Sequence, residues 1–303
     1  MNAVARVGLG TAPLGNLFTA ITDDEARATV DAAWDGGVRF FDTAPQYGHG
    51  LAEIRLGRAL ADRPRDQYVL ASKVGRLLRH VSPRPDTIFR DIPDVDPVYD
   101  FSRDGVLRSI EESLQRIGAD RLDIVHVHDP DDHEAEALDT AFPTLVELRD
   151  QGVIGQVGCG MNQAEMLSRF VDRVDLDCLL LAGRWSLLDR TGEALLQQCA
   201  ERGVEVIVGG VFNSGLLARP EVGATFDYAE APVELVERAR AMQAVCAEFD
   251  VPLPAAAIQF VLQHPAVSMV LVGVRSAAEI TADLQYAQAP IPAPLWPALT
   301  PRT

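Results

Sequence analysis

Short apolar runs alternate along almost the whole chain with longer stretches in which apolar side chains recur every three to four positions. The runs predict buried strands at 7–11, 39–43, 68–73, 123–128, 155–160, 178–182, 205–210 and 269–273. The amphipathic stretches predict helices near 24–35, 51–61, 104–117, 137–151, 163–171, 192–202, 233–249, 254–263 and 277–287. Eight strands, each followed by a helix, with one extra helix before the last strand, predict a (β/α)8 TIM barrel of the α/β class. No linker rich in Gly, Ser or Pro divides residues 1–303, so the reading is one domain. Two segments break the alternation. Residues 76–102, proline-rich and following the third strand, are expected to form a long irregular loop on the C-terminal rim that overhangs the site. The proline-rich tail, 289–303, is expected to be non-helical.

A length of 303 residues and 48% hydrophobic content suit a barrel with a large core. Lys and Arg total 27 against 44 Asp and Glu, a net charge of −17. That balance argues against nucleic acid or an anionic membrane surface as partner, because both require clustered cations. Cys159, Cys178, Cys199 and Cys246 are scattered and form no CxxC pair, which fits a reduced, cytoplasmic setting. Residues 1–6 lack the basic-then-apolar order of an export signal, and the apolar stretch near the C-terminus is interrupted by Gln259, Gln263, His264 and Pro265. Nothing in the pattern identifies a self-complementary patch, so oligomeric state is not readable.

The chemistry concentrates at strand ends. Asp42 lies at the end of the second predicted strand and Tyr47 follows it; Lys73 closes the third and His128 the fourth. Parallel strands in a barrel bring such residues to one rim. A lysine there is costly unless paired, and Asp42 supplies the partner. A phenol beside an ammonium is expected to titrate below its usual ~10, which would make Tyr47 an acid/base group tuned by Lys73. The alternative is a structural Asp–Lys pair with a tyrosine packed nearby. His126 lies one layer below His128 on the same strand and is expected to be a hydrogen-bonded core residue. His-x-His on a barrel strand also suits a metal-dependent hydrolase. That chemistry needs ligands on further strands, and His49, His80 and His264 do not supply them, so no metal is expected. The acidic run of Asp129, Asp131 and Asp132 reads as a solvated loop. Gly8-Leu9-Gly10 begins like a dinucleotide fingerprint, but Pro13 stands in place of the third glycine and no helix follows at once, so a Rossmann unit is rejected.

Taken together, Phe41-Asp42-Thr43-Ala44 with Tyr47-Gly48, then Ser72-Lys73, then Val127-His128 with Pro130, resemble the aldo-keto reductase family over nearly the whole chain. The resemblance implies a barrel that binds a nicotinamide dinucleotide across its C-terminal rim. Tyr47 would be the acid/base, Lys73 and Asp42 its tuners, and His128 the residue that orients the reacting oxygen. By the same resemblance Asn162 would hold the nicotinamide carboxamide and Trp185 would stack on its ring. Phe212, Asn213, Ser214, Gly215 and Leu217 would belong to the loop crossing the pyrophosphate. NADPH-preferring relatives place Lys and Arg around the 2′-phosphate, whereas Gly273 and Glu279 fall near those places here. A carboxylate repels a phosphate and accepts from a ribose hydroxyl, so the implied cofactor is NAD, with Arg275 the residue that would admit NADP. Within the family the chain resembles the aldose 1-dehydrogenase branch, of L-fucose and D-threo-aldose type, with pyridoxal 4-dehydrogenase close by. The implied substrate is a small sugar. A catalytically idle nucleotide-binding partner protein is the family's non-enzymatic alternative.

Overall fold

The computed structural model describes residues 3–83 and 86–299. Among the described residues twelve strands form in chain order. They are β1 (Val7–Gly10), β2 (Phe40–Asp42), β3 (Val69–Val74), β4 (Arg76–His80), β5 (Val95–Tyr99) and β6 (Ile124–His128). After them come β7 (Gln156–Met161), β8 (Cys178–Ala182), β9 (Glu205–Gly209), β10 (Thr225–Phe226), β11 (Ala229–Glu230) and β12 (Val267–Gly273). Eight of them close a parallel barrel in the order β1-β2-β3-β6-β7-β8-β9-β12, and β1 pairs with both β2 and β12. The predicted (β/α)8 barrel is the observed fold. The helices cover the outside, and Leu253–Val261 is the extra one before β12.

Alternation along the strands makes two cores. Phe40, Ala71, Ile124, Cys178, Leu180, Ile207 and Leu271 fill the lumen. Their neighbours, such as Phe41, Leu70, Val125, Leu179 and Val206, face the helices and are buried there. Each such large side chain contributes about 1.5–3 kcal/mol by leaving water. The lumen is polar only towards the C-terminal ends of β2, β3 and β6, where Asp42, Lys73, His126 and His128 lie buried. Gly158 on β7 is what admits His126, because a Cβ there would stand 2.3 Å from the imidazole Nδ1. All four cysteines are free and buried. No single helix among the described residues is long and apolar enough to cross a membrane.

Two expectations need correction. The segment 76–102 is not an irregular loop throughout: β4 and β5 pair antiparallel, Arg76 opposite Tyr99 and His80 opposite Val95. Gly75 (φ 103°) turns the chain out of the barrel into this hairpin. Pro97 opposite Leu78 is tolerated because a two-stranded ribbon leaves edge positions that need no donor. The return stretch bonds to the first barrel loop, where Phe18 N–H donates to the Ile88 carbonyl (2.9 Å) and Arg90 N–H to that of Asn16 (3.0 Å). The tail is helical at Leu295–Leu299. Leu295 and Leu299, one turn apart, are buried in the cluster that includes Val236 and Ala239 of the helix Val233–Glu248. Pro297 sits in the first turn, where no backbone donor is required.

Candidate active site

Tyr47 owes its position to a turn rather than to a strand. Its N–H donates to the Ala44 carbonyl (3.1 Å), and its carbonyl accepts from Ala52 N–H (3.2 Å) at the start of the helix Leu51–Leu60. His49, buried, donates from Nδ1 to the Val95 carbonyl (2.6 Å), so β5 braces the same turn. Against its other side lies Gly15, where a Cβ would come within 2.6 Å of the Gly48 nitrogen and 2.7 Å of the Tyr47 carbonyl carbon. Gly15→Ala is therefore expected to cost about 1–3 kcal/mol of stability through overpacking. It should also lower kcat disproportionately, because a shift of about 1 Å in a reacting group costs on the order of 10²-fold. Melting and steady-state kinetics on the same sample test this, and a stable loss-free variant would show the contact to be slack.

Lys73 extends from β3 across the lumen. Its ammonium donates to both Asp42 carboxylate oxygens (2.8 and 2.7 Å) and to the Thr43 carbonyl (2.9 Å). Those three bonds exhaust its donors. Both side chains are almost wholly buried, 1% and 2% exposed. Burial raises the Asp42 carboxyl's pKa and the ammonium opposes that rise. The Lys73 Nζ lies 4.8 Å from the centroid of the Tyr47 ring, over its face. His128 meets the same ring edge-on, with centroids 5.9 Å apart and planes at 90°.

The expected lowering of the Tyr47 pKa by Lys73 is not what the structure gives. The phenol is pushed well above its usual range, by burial first and then by the Asp42 charge; Arg76 is the cation that opposes the rise. Lys73 is spent on Asp42 and Thr43, so the pair presents little net positive charge to the phenol. Tyr47 is therefore a neutral phenol in the resting site. His128 is pushed the other way, well below its usual value, by burial and then by Arg76, Lys73 and His126. It is a neutral imidazole able to donate one N–H. His126 titrates at about 3, mainly through burial, and neither ring nitrogen has a hydrogen-bond partner among the described residues. It is a core histidine without the hydrogen bonds expected of it.

A family model, Aldo/keto reductase family, matches residues 6–300. The chain belongs to the aldo/keto reductase family. It is 43% identical over 307 residues to a D-threo-aldose 1-dehydrogenase from Pseudomonas sp., covering 98% of this chain and 93% of that one. A pyridoxal 4-dehydrogenase from Microbacterium luteolum is 40% identical over 319 residues, with the same coverage of 98% and 93%. Among solved structures, the holo form of an aldo-keto reductase from Bacillus halodurans superposes with a TM-score of 0.76 at 26% identity, covering 97% of this chain and 90% of that one.

Aldo/keto reductases use nicotinamide cofactors, and the rim of this one carries groups suited to such a ligand. Gln46 Oε1 is buried without a partner among the described residues, and Gly215 (φ 105°) stands open, with nothing within 4 Å of a Cβ. The remaining rim residues of the reductase divide. Asn162 is half-buried at the end of β7, and its carbonyl accepts from Arg184 Nε (3.0 Å). Ser214 (φ 57°) takes the Tyr228 N–H on its hydroxyl (3.2 Å). Gly273, at the end of β12, faces Pro13, while Arg275 reaches the Thr19 hydroxyl (3.5 Å). The Glu279 carboxylate accepts the Arg275 N–H (2.8 Å) as a cap on the helix Ala277–Gln288. Asn213 is buried and committed, accepting from Ser186 Oγ (2.6 Å) and donating to the Gly183 carbonyl (3.3 Å). Phe212 is half-buried against the core.

Two of the expected contacts are buried. Trp185 is 7% exposed, packs on Phe260 and His264, and gives its N–H to the Val261 carbonyl (3.4 Å). Leu217 is fully buried beside Leu216. Pattern reading also missed three residues. Arg76 and Asp129 pair across 53 positions (2.9 Å), so Asp129 is not a solvated loop acid. Tyr228, from the turn between β10 and β11, lies near enough to Tyr47 and Asp129 for their charges to interact, and its ring meets Phe18 at 6.3 Å. The available signal for the pair was Asp129 directly after His128 and Arg76 three residues beyond Lys73.

Proposed function

We propose that this reductase oxidises an aldose of the L-fucose or D-threo-aldose type at C1 to its lactone, with NAD as the preferred cofactor. The observation that carries the reading is the convergence of Tyr47 and His128 above the Asp42–Lys73 pair. The near full-length likeness to a D-threo-aldose 1-dehydrogenase supports the sugar. A bound nicotinamide dinucleotide supplies the hydride acceptor. Asn162, Ser214 and Gly215 would hold it on the rim, and Glu279 would favour a free ribose hydroxyl over a 2′-phosphate. Tyr47, once deprotonated, takes the proton of the anomeric hydroxyl, while neutral His128 donates its N–H to the same oxygen. In the reverse direction the neutral phenol is already the acid. Absence of disulfides and burial of all four thiols fit a cytoplasmic enzyme. Pyridoxal oxidation is the second reading, favoured by the likeness to a pyridoxal 4-dehydrogenase.

The raised Tyr47 pKa gives the two directions different pH profiles. The phenolate fraction grows tenfold per unit while pH lies below the phenol's pKa. The oxidation rate should therefore climb by about tenfold per unit from pH 6 upward, and carbonyl reduction should stay flat over the same range. The test is initial rates with NAD and NADP, each offered L-fucose, D-arabinose, L-galactose and pyridoxal, followed by the profile for the best substrate. Turnover of pyridoxal alone selects the second reading. A flat oxidation profile removes Tyr47 as the base.

A further inference from the structure

The active-site mouth contains a charged pair that neither gives nor takes a reacting proton. Arg76 opens β4 just after β3 leaves the barrel, and its guanidinium is 10% exposed. One of its nitrogens, Nη2, donates to Asp129 Oδ2 (2.9 Å), and its plane lies over the Tyr99 ring at 5.0 Å. Its Nε is buried and without a partner among the described residues. Asp129 follows His128 directly, with its Oδ2 3.5 Å from the His128 Nε2. Its backbone is held in the left-handed region (φ 41°) by a bond from its N–H to the Gly160 carbonyl (3.0 Å). That conformation is uncommon for a residue other than glycine and is characteristic of functional strand ends. It aims the carboxylate at Arg76 and leaves it one-third exposed towards the mouth.

We propose that Arg76 and Asp129 form a hydroxyl-recognition site that selects polyhydroxylated carbonyl substrates and orients them against Tyr47 and His128. A guanidinium offers five donors and a carboxylate about four acceptor sites, and their mutual bond uses one of each. What remains is a donor edge beside an acceptor edge. Two neighbouring hydroxyls, one accepting and one donating, complete that pattern. A carboxylate or phosphate substrate would meet the Asp129 charge, so the neutralised pair favours an uncharged polyol over an acid. A substrate without hydroxyls leaves the buried Arg76 Nε unpartnered, which is how polar sites reject deoxy analogues. The inference deepens the aldose reading while resting, for its test, only on carbonyl reduction.

The test uses Arg76→Met and Asp129→Asn, with glyceraldehyde and propanal reduced by NADH or NADPH at one pH. The two aldehydes share a carbon skeleton and differ only in hydroxyls. The wild-type protein is expected to prefer glyceraldehyde in kcat/KM by about 10- to 100-fold, the value of one charge-assisted hydrogen bond. Each variant should bring that ratio towards one, mainly by raising KM for glyceraldehyde, with propanal within a few-fold of wild type. A parallel loss on both aldehydes would assign the pair to structure or to the field at Tyr47, and an unchanged ratio would place the hydroxyls elsewhere; either overturns the proposal. A wild-type protein that keeps the preference but oxidises no aldose refutes the aldose reading alone.

Discussion

Replacing Tyr47 by phenylalanine should reduce kcat by about 10²–10⁴-fold in both directions, the usual contribution of a positioned acid or base. The ring stays, so its face remains beneath the Lys73 ammonium and its edge against His128, and the fold loses little. Binding of NAD, followed by quenching of protein fluorescence, should remain within a few-fold of wild type. The loss should be as large for reduction as for oxidation, because one oxygen serves as acid in one direction and base in the other. A variant within tenfold of wild type would remove Tyr47 from the chemistry and return the site to a packed tyrosine over a structural ion pair.

Breaking the pair beneath it should cost most in stability. Asp42→Ala leaves an ammonium in the lumen with one carbonyl, that of Thr43, where it had three acceptor atoms. Removing one partner of a buried ion pair typically costs about 3–5 kcal/mol, a large share of the roughly 5–15 kcal/mol by which domains are stable. The fall should appear as a large drop in the denaturant midpoint at pH 7. Replacing both residues, as Asp42→Leu with Lys73→Met, should recover much of the loss, since an apolar pair removes the unpaired charge. The double variant should nonetheless be catalytically poor, because the base of the Tyr47 pocket is altered. Equal stability of Asp42→Ala and wild type would mean that water reaches the ammonium, contrary to its 1% exposure.

The barrel was legible because its signal is periodic. Apolar runs five or so residues long, set between helical repeats, leave few alternatives. Asp42 and Lys73 were legible for a related reason: charge at the end of a buried strand is expensive and needs a partner. The tuning of Tyr47 was not, because it depends on where the Lys73 donors point. Proximity alone suggested a lowered phenol pKa; burial of the ring and the Asp42 charge reverse it. The packing of Trp185 was hidden for a directional reason as well. Gly183 (φ 73°) turns the chain as it leaves β8, and the indole goes into the helical layer. The hairpin of β4 and β5 was hidden by its prolines, and the Arg76–Asp129 pair by a separation that no local pattern spans. Nor did any local pattern show that Gly158 is the space into which His126 fits.

Barrel closure sets a timetable for synthesis. The strand β1 leaves the ribosome well before β12, yet completes its hydrogen bonds only with that strand, where Val7 stands opposite Val270. At a translation rate of about 5–20 residues per second, those peptide groups wait on the order of 10–50 s for their partner. Throughout that interval the nascent sheet grows from β1 to β9 with both margins open, and an open margin templates pairing with any neighbouring strand. The window of vulnerability to aggregation closes only when β12 has emerged.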